Sequence, residues 1–149
     1  MKIEQRLIDL GITLPDPASP VATYVRYVQT GNLLYISGTG PAKDHPTGKV
    51  GADLTVEQGI AAARSVGISI IATLKQALGD LDRVVRCVKL LGMVNSAPDF
   101  GDQPKVINGC SDLLVEVFSE AGRHARSAVG MGALPSGISV EIELIVEVS

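Results

Sequence analysis

The chain has 149 residues, of which 46% are hydrophobic, 19% charged and only 3% aromatic. That is enough apolar material for one compact domain spanning residues 1–149, and it excludes a disordered chain. A formal net charge of −3, a pI of about 5.3 and the lack of a basic stripe argue against a nucleic-acid partner.

Residues 1–12 place Ile3, Leu7 and Leu10 on one face of a short helix. Residues 14–20 carry three prolines and read as an extended lead-in, so residues 1–20 form an N-terminal extension. Two strands at 24–29 and 33–37, joined by Thr30-Gly31-Asn32, make a hairpin. A long helix starts near Thr55, where Thr55 and Gln58 have capping-box spacing, and ends at Gly79. Gly67, in its middle, is expected to mark close packing against a sheet.

A β-branched strand is predicted at 84–93, and a second helix at 103–121 with Gly122 as its C′ residue. A strand follows at 125–131, then a turn at Leu134-Pro135-Ser136-Gly137. In the last strand, 139–148, Val140, Ile142, Leu144, Val146 and Val148 alternate with Glu141, Glu143 and Glu147. After the extension the order is β-β-α-β-α-β-β, an α+β fold with two helices packed on one face of a mixed sheet. The other face then needs cover, which predicts oligomerisation.

The apolar stretches are too short to span a bilayer, and the segment from Met1 to Arg6 mixes charges without an apolar core. A cytoplasmic location is therefore expected. Cys87 and Cys110 lack metal-ligand spacing and fall inside predicted elements, so they read as buried thiols. His45 and His124 are far apart in sequence, so no metal site is expected.

Arg126 opens a strand. By spacing alone it is either one half of an internal ion pair with a glutamate or a two-pronged donor for a ligand carboxylate. Glu141, Glu143 and Glu147 are solvated carboxylates unless a subunit covers their face, in which case the one nearest Arg126 becomes a catalytic candidate. Ser37-Gly38, at a strand end, offers turn chemistry or a hydroxyl and N–H for a ligand. Tyr24 and Tyr27 suit cross-strand packing, and His124, beside Arg123, reads as a loop histidine.

Ala125-Arg126-Ser127, Leu134-Pro135 and Val140-Glu141-Ile142-Glu143 resemble the C-terminal signature of the YjgF/RidA family, whose members also carry the older label of L-PSP endoribonuclease. The segment Gly31-Asn32-Leu33-Leu34-Tyr35-Ile36-Ser37-Gly38 is similar to that family's first hairpin, and the likeness covers roughly residues 20–149. The resemblance implies a chorismate-mutase-like fold and a homotrimer whose sheets form a central barrel, with ligand sites in clefts between subunits. It also implies cofactor-free hydrolysis of reactive imines and enamines to 2-oxo acids and ammonia.

By position, Arg126 falls on the carboxylate-binding arginine and Glu141 on the glutamate that positions water. Ser37 and Gly38 fall on the ligand-contacting strand end, and Tyr24 on the tyrosine that closes the pocket across the interface. There are two departures from the pattern: Ala128 stands where the deaminases often have cysteine, and Thr39-Gly40 replaces a glutamine and an aliphatic residue. The resemblance thus implies a divergent subgroup. A carboxylate-binding or sensing module without turnover ranks behind a deaminase, and an endoribonuclease last.

Overall fold

The computed structural model describes residues 1–17, 19 and 23–149. The extended lead-in read at 14–20 therefore lies partly outside the described residues, at Ala18 and Pro20. The elements are α1 (Lys2–Asp9), β1 (Tyr27–Thr30), β2 (Leu33–Thr39), α2 (Val56–Leu78), β3 (Val84–Asn95), α3 (Gln103–Phe118), β4 (Ala125–Met131) and β5 (Val140–Val148). The strands form one sheet in the order β1-β2-β5-β3-β4. Only β3 and β4 run parallel; the other neighbours are antiparallel. This is the mixed α+β arrangement expected from the element order.

The alternation in β5 decides which face is covered. Val140, Ile142, Leu144, Val146 and Val148 are all buried under the helices. Opposite them in register, Cys87, Leu90 and Val94 of β3 complete the same apolar layer. Helix α2 packs over β2 and β5, α3 over β3 and β4, and the two helices pack on each other. The opposite sheet face is open and carries Tyr35, Leu91, Glu141, Glu143 and Ile145. No helix among the described residues is long and apolar enough to cross a membrane.

The start of α2 follows its sequence signal. The Thr55 side chain accepts from the Gln58 N–H at 3.1 Å, and Gln58 Oε1 accepts from the Thr55 N–H at 2.9 Å. Two backbone donors at the helix start are thereby satisfied. Gly67 is tight, but its neighbours are Leu113 and Cys110 of α3 rather than the sheet: a Cβ there would lie 2.7 Å from the Leu113 side chain. The helix–helix crossing needs the small residue, which corrects the expected partner.

Three further boundaries move. β1 begins at Tyr27, leaving Tyr24 outside the strand, and β3 runs on to Asn95. Helix α3 stops at Phe118; Ser119 takes a positive φ of 57°, and a 3-10 turn continues to Gly122. Gly122 is therefore not the residue after the helix cap. It is needed because a Cβ there would stand 2.1 Å from the Leu114 carbonyl oxygen.

Helix α1 is tied down by several contacts. Leu7 is buried in the common core, whereas Leu10 is 41% exposed and leaves the predicted face. The backbone N–H groups of Lys2 and Ile3 donate to Asp82, and Lys75 pairs with Glu4 at 3.0 Å.

Candidate active site

β4 is an edge strand, and its parallel register sets Arg126 opposite Leu90, on the helix-covered side of the sheet. The side chain runs out over α3. There Nη1 donates to Asn108 Oδ1 at 2.7 Å and to Ser111 Oγ at 3.2 Å. Asn108 and Ser111 are three residues apart on one helix, so they share the face that meets β4.

The guanidinium is only partly buried and forms no ion pair among the described residues. The glutamate partner that the sequence left open is absent from that set: Glu116 pairs with Arg64 and Glu120 with Arg123. Arg126 is thus held by two neutral acceptors through one nitrogen. It borders an open cavity of about 680 Å³ lined by Ser111, Asp112, Val115, Glu116, Arg123, His124 and Arg126. A half-desolvated, pre-oriented guanidinium can take a carboxylate through two parallel N–H bonds.

His124, just before β4, contributes to the same wall. Its Nδ1 lies 2.7 Å from the Gly122 carbonyl oxygen and its Nε2 lies 2.9 Å from Ser111 Oγ. Burial pushes its imidazole below the ordinary value, and the nearby Arg126 charge adds to this; the Gly122 carbonyl opposes both. The histidine lies in the loop before β4, as read, and is anchored there in the cavity wall.

The remaining predicted residues gather elsewhere. The β2–β5 register shifts between Ile36 and Thr39, and Ser37 and Gly38 lie in that irregularity. A Cβ on Gly38 would sit 2.3 Å from Glu141 Oε2, so the missing side chain is what lets the carboxylate rest against the strand. Ser37 Oγ donates to the Val25 carbonyl at 2.6 Å. Arg26 is buried behind this bend and donates to Thr39 Oγ1 at 2.7 Å and to the Gly38 carbonyl at 3.3 Å. Tyr24 is 42% exposed and precedes β1.

Glu141 is paired with Met93 on the open face, whereas Arg126 is paired with Leu90 on the helix face. One copy of the chain thus brings Ser37, Gly38 and Glu141 together and holds Arg126 on the other side of the sheet. Ala128 lies two residues beyond Arg126 on Arg126's own face and is partly buried. Neither cysteine serves the cavity, since burial pushes both Cys87 and Cys110 thiols up to about 12.

Sequence reasoning missed Asn108, Ser111 and Arg26. Asn108 and Ser111 did leave a trace, as two polar residues at i and i+3 beside the apolar stripe of α3.

The family described as "YjgF/chorismate_mutase-like, putative endoribonuclease" matches residues 4–147. Protein TCP17 of Trypanosoma cruzi is 47% identical, over 99% of this chain and 95% of its own length. A solved protein of unknown function from Agrobacterium tumefaciens superposes with a TM-score of 0.91 at 47% identity, covering 99% of this chain and 92% of its own. RidA from an Antarctic Psychrobacter is 32% identical with a TM-score of 0.60, covering 89% of this chain and 94% of its own.

Proposed function

Because this chain belongs to the YjgF/RidA family, we propose that it hydrolyses small reactive imines and enamines of the 2-imino-acid class to 2-oxo acids and ammonia. The observation that carries the reading is Arg126: a guanidinium without a carboxylate partner among the described residues, fixed by Asn108 and Ser111 at the edge of an open cavity. An imine carbon next to a carboxylate is already electrophilic. The protein has to orient it and move protons, and a two-pronged hold on the carboxylate supplies the orientation.

In this reading Glu141 positions the attacking water, Ser37 and Gly38 line the strand end against the ligand, and Tyr24 closes the pocket. Arg126 and Glu141 lie on opposite faces of one sheet, so a site using both is assembled from two copies. A homotrimer with clefts between subunits meets that need. The open face, with Val28, Tyr35, Leu91 and Ile145, supplies apolar surface for the contact.

The alternative is a module that binds or senses a small carboxylate without turnover. The distance between Arg126 and Glu141 across the sheet favours it if the chain acts as a monomer. An endoribonuclease is disfavoured by the net charge of −3 and the 3% aromatic content, which leave little to hold phosphates or stack bases.

The test combines light scattering with an assay of 2-oxo acid release from enzymatically generated 2-imino acids. The expected result is a trimer that accelerates release. Tight pyruvate binding without acceleration would establish the sensing module instead, and neither binding nor acceleration would remove the carboxylate reading altogether.

A further inference from the structure

The Arg126 cavity contains a proton-handling pair of its own. Ser111 Oγ is 2.9 Å from His124 Nε2, while His124 Nδ1 is 2.7 Å from the Gly122 carbonyl oxygen. A carbonyl can only accept, so Nδ1 bears the hydrogen and Nε2 presents a lone pair to the serine hydroxyl. The same Ser111 Oγ accepts from Arg126 Nη1 at 3.2 Å, so negative charge developing on it is stabilised by a cation. Glu141, by contrast, belongs to the other face of the sheet in the same copy.

We propose that Ser111 and His124 are the acid–base pair of this cavity, shuttling protons for a substrate whose carboxylate lies on Arg126; the proposal rests on the imine reading of that site.

The reaction's balance shows why a shuttle suits it. Hydrolysis of an imine moves both hydrogens of one water from oxygen to nitrogen. As water oxygen bonds to the imine carbon, the C=N π electrons move to nitrogen. One water proton passes to Ser111 Oγ while the Ser111 proton moves to His124 Nε2, and the pair then returns a proton to nitrogen. In the second half, the carbinolamine hydroxyl gives its proton to the pair, the C–N bond breaks as C=O forms, and ammonia leaves with the returned proton. The pair ends as it began, and no oxidant or metal enters the balance. The imine carbon is one bond from the carboxylate carbon, so a carboxylate on Arg126 brings it beside Ser111.

The charged groups around His124 are Asp112 and Glu116 from α3, and Arg123 and Arg126 from its own segment. Burial and Arg126 keep the imidazole neutral near pH 7. Activity is then full above the His124 value and falls as pH drops through it, because a protonated Nε2 no longer takes the Ser111 proton.

The experiment is a set of pH–rate profiles of imine hydrolysis for the assembled protein and for Ser111→Ala, His124→Gln and Glu141→Gln. Ser111→Ala and His124→Gln are expected to lower kcat about a hundredfold, with KM within about threefold. His124→Gln is also expected to lose the acid limb. If His124→Gln keeps both kcat and that limb while Glu141→Gln loses them, the pair is wrong and the imine reading stands. If the wild-type protein shows no turnover, the imine reading fails, and nitrogen NMR of His124 under pyruvate titration decides the pair. A rise in the His124 titration midpoint with pyruvate supports it, and an unmoved midpoint overturns it.

Discussion

Gly109→Ala is expected to destabilise the protein by about 2–3 kcal/mol, at the upper end of what over-packing a core costs. A Cβ at this position would stand 2.2 Å from the Ile60 carbonyl oxygen and 3.2 Å from the Arg64 nitrogen, both backbone atoms of α2. No rotamer change relieves such a contact, so the two helices must move apart. Moving apart loosens the seam at which Gly67 meets Leu113 and Cys110. The helical preference of alanine over glycine returns only about 1 kcal/mol. At this chain length the loss corresponds to a Tm lower by roughly 5–10 °C, measured at fixed protein concentration. Gly101→Ala is the control, because nothing lies within 4 Å of a Cβ there. A Gly109→Ala protein that melts with the wild type would mean that the helices do not cross this closely.

Arg126→Ala is expected to lower kcat/KM for 2-imino acids about a thousandfold and to weaken pyruvate binding by a similar factor. Truncating one side of a charge-assisted pair at a binding site costs about 2–5 kcal/mol, and each 1.4 kcal/mol is tenfold. Arg126→Lys keeps the charge but loses the planar fork, so a loss of roughly ten- to a hundredfold is expected. Folding should barely respond, since the partners given up are Asn108 and Ser111 on a partly exposed wall. Calorimetry with pyruvate alongside the kinetics separates binding from turnover. An Arg126→Ala protein with unchanged pyruvate affinity would remove the site from this cavity.

Local patterns carried most of the architecture. The strict alternation of β5 was legible because one face lies under α2 and the other is open. The start of α2 was legible because Thr55 and Gln58, three residues apart, bond to each other's backbone. The 3-10 segment after α3 was not, because two causes look alike in sequence. A glycine past a helix usually supplies a positive φ, whereas Gly122 is small so that the backbone can pass Leu114. The site was half legible for a similar reason. Arg126 stood out as a charge entering a strand, but its partners come from α3, and no spacing rule links Arg126 to Asn108. Ser111 left only the trace of a polar residue beside an apolar stripe, and it gains its meaning once His124 is folded against it.

The placement of Arg126 and Glu141 on opposite faces of one sheet has a genetic consequence. If each cleft takes its arginine from one polypeptide and its glutamate from a neighbour, neither polypeptide owns a site. Two inactive alleles, one lacking Arg126 and one lacking Glu141, would then restore each other in mixed assemblies, because some clefts receive an intact half from each parent. Two alleles both lacking Arg126 would not. Activity per polypeptide would also fall on dilution as assemblies come apart, so expression level as well as sequence would set the flux.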